Sequence, residues 1–220
     1  MRRARARAAR LSVLTRLQLG LEALYRVQTH LAIDAFVIDD AQREVVDPRR
    51  APREQLLVRE ADDELAMALF LDAGALANLE RHDPAAGLDD RNFTDFCLAV
   101  EGVSHFIYVA LCAAGQRSVS PLELELQAEV DKFACCVLLA SPTSDLRQRL
   151  YGDVGYADDL DGAESARYRA ANAGANRYAA VLERRFVHAD QTDALPMLAE
   201  LRRFYRMDLP DKLGHIARLG

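Results

Sequence analysis

Lysine is nearly missing from this chain. Of 28 basic side chains only Lys132 and Lys212 are not arginine, and with the abundance of alanine this bias suggests a GC-rich bacterial source. Cysteine is also scarce. Cys97, Cys112, Cys135 and Cys136 all sit in apolar stretches such as "DFCLAV" and "FACCVLLA". None has CxxC spacing, and neighbouring Cys135 and Cys136 are poor disulfide partners, which argues against a zinc knuckle or a disulfide framework. Cysteine used as a small core residue fits a reducing cytoplasm. No apolar run reads as the ~20 residues of a spanning helix, so no membrane partner is expected. No G-x-S-x-G elbow, phosphate-cradling glycine loop or dinucleotide fingerprint is present. Acids outnumber bases 34 to 28 for a net charge of −6, which argues against a general nucleic-acid partner.

The 220 residues, half of them apolar, allow one sizeable core. The basic charge is uneven: Met1–Arg16 holds six arginines and no acid, leaving 22 bases against 34 acids in the rest. Residues 1–16 are therefore read as a frayed, solvated tail. The following run "LSVLTRLQLGLEALYRV" is broken by Arg16 and Glu22, unlike a signal peptide. Residues 17–220 are read as a single domain with a helical extension from about residue 152.

Hydrophobic spacing orders the elements. Leu14, Leu17, Leu21, Leu24 and Val27 recur every three or four positions, predicting an amphipathic helix from Leu11 to about His30. "AIDAFVIDD" predicts a short strand, and "QLLVREADDELAMALFLD" two strands around an acidic turn at 61–64. In the second of these, Leu65, Met67, Leu69 and Leu71 alternate onto one face. Three such strands predict a small antiparallel sheet. Two long helices follow: "TDFCLAVEGVSHFIYVALCAAG", capped by Asn92 or Thr94, and "PLELELQAEVDKFACCVLLAS", opened by Pro121. Three more are expected at about 163–187, 194–206 and 211–219. Strands followed by helices, without βαβ alternation, define an α+β fold.

The two long helices carry ionisable groups in apolar surroundings, where an unpartnered charge is costly. Glu101 and His105 are four apart, on one helix face. Glu123, Glu125, Glu129 and Asp131 lie on the next helix, with Glu125 and Glu129 also four apart. Such a set forms either a satisfied buried polar cluster or a site. The segments "AVEGVSH" (Ala99–His105) and "EVDKFACCVLLASP" (Glu129–Pro142) resemble, in order and spacing, the two motifs of ImmA/IrrE-type zincin-like metallopeptidases. That family carries an HExxH helix and then an acidic helix supplying a third ligand. The resemblance covers about residues 30–142 and implies a small sheet ahead of the motif helices. It implies zinc as cofactor, Glu101 as catalytic base, and His105 and Glu129 as metal ligands.

Val100 stands where the first ligating histidine belongs, and valine cannot bind metal. The expectation is a degenerate, non-catalytic or weakly metal-binding zincin-like protein that acts by binding another protein, in regulation. Two alternatives stand beside it. One is an active metal-dependent hydrolase with Glu101 as general base, where an oxygen-rich ligand set would favour Mn or Mg. Glu125, or one of His30, His82, His188 and His215, would then complete the site. The other is a structural or interaction protein without enzymatic ancestry.

Overall fold

The computed structural model describes residues 11–48, 52–61, 64–139, 145–152, 155, 161–188 and 192–219. Helix α1 (Val13–Tyr25) opens on the Ser12 hydroxyl, which accepts from the Thr15 backbone N–H, and buries Leu14, Leu21 and Leu24. Its first turn includes Arg16, so the structured chain begins inside the stretch expected to fray. Residues 1–10 of that stretch lie outside the described residues.

The strand expected in "AIDAFVIDD" shrinks to β1 (Val37–Ile38) after a 3-10 turn. An unforeseen helix α2 (Asp40–Val46) follows, opened by a capping box between Asp39 and Gln42. Val45 and Val46 are exposed on it, so no apolar period announced it. The hairpin forms where the alternation placed it, as β2 (Glu54–Ala61) and β3 (Glu64–Leu71), paired antiparallel from Glu54 opposite Leu71. Because α2 turns the chain before β2, β1 lies parallel to β3, with Val37 opposite Leu69. The sheet, in order β1–β3–β2, is thus mixed rather than wholly antiparallel. Leu69 and Leu71 are buried on the expected face. Phe70 is buried on the other, where the Arg43 guanidinium of α2 lies 5.3 Å from its ring.

Helix α3 (Ala73–Arg81) is capped by Asp72 and leads through a 3-10 turn at Pro84–Ala86 to α4 (Phe93–Ala114). By length and composition α4 could cross a membrane, contrary to the sequence reading, but 72% of its most apolar window is buried inside the fold. It packs on β2 and β3, on α1 and α3, and on α5 (Pro121–Leu139), which starts at Pro121 as expected. Helix α6 (Gly162–Phe186) opens with a capping box between Asp161 and Glu164 and packs along α5. Small residues, Ala171, Gly174 and Ala175, are buried in α6. Helices α7 (Ala194–Tyr205) and α8 (Leu209–Leu219) complete the helical C-terminal part, against α1 and α6. The architecture is α+β. All four cysteines are free thiols, Cys112 and Cys136 buried.

Candidate functional site

Glycine starts the site. A Cβ on Gly102 of α4 would lie 3.1 Å from Leu69 Cδ1 and 3.2 Å from Glu54 Cγ, so the missing side chain lets the sheet settle onto the helix. That approach delivers Glu54, at the head of β2, to His105 three residues further along α4. Glu125 reaches the other edge of the imidazole from α5. His105 Nδ1 is 3.5 Å from Glu54 Oε1, and Nε2 is 3.6 Å from Glu125 Oε2. These separations suit charge attraction but exceed a good hydrogen bond, and His105 Nε2 and Glu54 Oε1 have no hydrogen-bond partner.

A turn away, Lys132 of α5 reaches between the two helices. Its Nζ donates to Glu101 Oε2 at 3.0 Å and to Glu129 Oε1 at 2.7 Å. The Lys132 side chain is only 12% exposed. Thus Glu101 and Glu129 do meet, around a lysine that the sequence reading passed over. His105 lies with Glu54 and Glu125 instead, and Glu101 makes no hydrogen bond to it.

Opposite charge sets the protonation states. Burial would lower the His105 pKa, but Glu125 and Glu54 outweigh it and hold the value well above an ordinary histidine. Burial likewise works against the Lys132 ammonium, and Glu101 and Glu129 overcome it. Burial pushes Glu101 up, yet Lys132 and His105 bring it below the usual carboxylate value. For Glu54 and Glu129 burial prevails, and both are raised. The imidazole is therefore a held cation and Glu101 a neutralised, weak base. Neither is poised to take a proton near neutrality.

The zinc that the resemblance implies does not fit these residues. Val100 offers no donor and is fully buried. The facing oxygens of Glu101 and Glu129 are engaged by an ammonium, and the two nitrogens of His105 point at separate carboxylates. Among the described residues no group of three or more His, Cys, Asp or Glu side chains could hold a metal ion. Of the rescuing ligands expected from the sequence, Glu125 reaches the site. His215 is buried against Glu200 at 2.5 Å, and His188 faces Asp193 on the surface. A polar cavity of about 220 Å³ borders the cluster, with Glu54, His105, Glu125, Arg167 and Tyr168 in its wall.

A second network fills the same helix pair. Asp131 accepts from Tyr25 Oη, from Ser104 Oγ at 2.6 Å and from Gln127 Nε2 at 2.8 Å. Lys212 of α8, wholly buried, donates to Tyr108 Oη at 2.7 Å and Gln127 Oε1 at 2.9 Å. Burial raises Asp131 to about 6 against three hydrogen bonds, and lowers Lys212 to about 8. Four helices are tied together here: α1, α4, α5 and α8.

One sequence signal bears on what was missed. Both lysines of an arginine-dominated chain sit within the helix packing, Lys132 between two carboxylates and Lys212 on Tyr108 and Gln127 with Glu123 3.9 Å away. A compact ammonium with three donors can be satisfied in a small enclosed space, whereas a guanidinium brings five donors on a rigid plane. Glu54 carried no such signal, since only the hairpin's packing on α4 brings it in. Comparison of the chain with protein-family models, with curated proteins and with solved structures gave no match.

Proposed function

We propose that this chain is a non-catalytic, zincin-like protein of the bacterial cytoplasm in which a lysine ammonium has replaced the metal, and that it acts by binding another protein in a regulatory role. The observation that carries this reading is Lys132 seated between Glu101 and Glu129. A cation at that point balances the two carboxylates without providing a Lewis acid or an activated water. Zincin ancestry rests on the two sequence motifs and on the small sheet ahead of them. With Val100 lacking a donor and His105 held as a cation by Glu54 and Glu125, the machinery for hydrolysis is incomplete. The free, packed cysteines suit a reducing compartment.

Metal analysis of protein purified without chelator tests the proposal. Less than stoichiometric metal, and a melting temperature unmoved by EDTA, are expected. Stoichiometric metal that is lost in His105→Ala would overturn it in favour of a metal-dependent hydrolase.

A further inference from the structure

An apolar groove of about 450 Å³ runs along α1, walled on its other sides by residues of α4, α5 and α7. Leu17, Gly20, Leu24, Phe96, Leu139 and Leu198 line it. Its α1 wall runs from Val13 to Leu24, about 16 Å at the rise of an α-helix. That length matches an extended chain of about a dozen carbons with ordinary C–C bonds.

The ends of the groove differ. At one end Arg16 is already neutralised by Asp83, both carboxylate oxygens lying at 2.9 Å. At the other end Arg202 has no carboxylate within ion-pair distance among the described residues. Its Nε donates to the Leu24 carbonyl, and Arg206 donates to the carbonyls of Arg202 and Tyr25. Burial, then Arg26, then Arg206 depress the Arg202 pKa, so two further guanidiniums lie near enough to act on it.

Two residues here run against local preference. Gly20 sits inside α1, where alanine would be better by roughly 0.5–1 kcal/mol in an ordinary helix. A Cβ there would meet nothing within 4 Å, so packing does not demand glycine; it leaves the groove open. Arg26 closes α1 with φ 54°, the left-handed cap at which glycine is cheaper. The glycine favours an open apolar channel, and the arginine adds positive charge near the Arg202 end.

We infer that this groove binds a free single-chain amphipathic anion, its alkyl tail along α1 and its carboxylate at Arg202, with Arg26 and Arg206 adding charge. The inference is independent of the metal-free reading of the charged cluster. Tail burial would supply most of the affinity, and Arg202 would select an anionic head.

Fluorescence titration with dansylated undecanoate, displaced by unlabelled alkyl carboxylates, tests it. A single saturable site is expected, with affinity for the carboxylates rising about fourfold per added methylene until the groove is full. Arg202→Gln should weaken dodecanoate by about tenfold and leave dodecanol unchanged. Gly20→Phe should fill the channel and abolish binding, with circular dichroism and melting temperature retained. Absence of a displaceable site would overturn the inference. So would equal competition by dodecanol and dodecanoate, or undiminished binding in Gly20→Phe.

Discussion

Replacing Lys132 by methionine keeps the length and apolar stem of the side chain and removes the charge. Glu101 and Glu129 would then face each other without a cation, with Glu54 and Glu125 close behind. Breaking a buried ion pair from one side costs about 3–5 kcal/mol. The two carboxylates are 21% and 16% exposed, so partial screening places the loss near the lower end, about 3 kcal/mol. For a chain of this size that is about 6–12 °C in Tm. The loss depends on pH. In the parent, Glu101 is held below its ordinary value, so the stability it contributes is present above the unfolded carboxylate pKa and fades in acid, against an opposite contribution from the raised Glu129. In Lys132→Met one carboxylate of the pair is pushed above its unfolded value. The variant thus holds its stability at low pH and loses it as pH rises. Urea unfolding of both proteins at pH 4.5 and 7.5 measures this: a deficit near 3 kcal/mol at 7.5 should shrink by more than half at 4.5. Adding Glu129→Gln should recover part of it, with a coupling of about 1–3 kcal/mol. A deficit below about 1 kcal/mol, or one constant across pH, would refute the ion-pair account.

Other expectations follow from the same packing. Asp131 is raised to about 6, so the native state keeps a proton that the unfolded chain has lost; stability falls between about pH 4 and 6 by roughly 3 kcal/mol. Asp131→Asn should flatten that slope when the two urea-derived profiles are subtracted. Lys212 is lowered to about 8, so its contribution has the opposite sign, rising by about 3 kcal/mol as pH climbs from 8 to 10.5, and Lys212→Met should remove that rise. One substitution should act in opposite senses at two glycines. Gly20→Ala meets open space and should stabilise by about 0.5–1 kcal/mol in thermal unfolding. Gly102→Ala strikes Leu69 and Glu54 and should destabilise by about 1–2 kcal/mol, with the imidazole resonances of His105 shifted in NMR spectra.

Much of the fold was legible because period reports directly on burial. Leu14, Leu17, Leu21 and Leu24 mark α1, strict alternation marks β3, and Pro121 marks the start of α5. Helix α2 escaped because its stabilisation is a polar capping box and its valines face solvent. The charged cluster was half legible. Spacing put Glu101 and His105 on one helix face and Glu125 and Glu129 on another, but spacing within a helix says nothing about which groups meet across helices.

What the sequence determined by itself is therefore the α+β class, the two long helices and their ionisable residues. These are local or compositional properties, set by period, caps and side-chain chemistry. Only the tertiary structure decided that Lys132 bridges Glu101 and Glu129 while His105 sits between Glu54 and Glu125. It alone turned the stripe of α1 into a groove with Arg202 at one end, where no carboxylate among the described residues pairs with it. Those pairings depend on how α4 meets the sheet and α5, and how α1 meets α7. Such crossings are settled by packing among residues up to 181 positions apart, as Arg206 and Tyr25 are, a range over which no local pattern carries information.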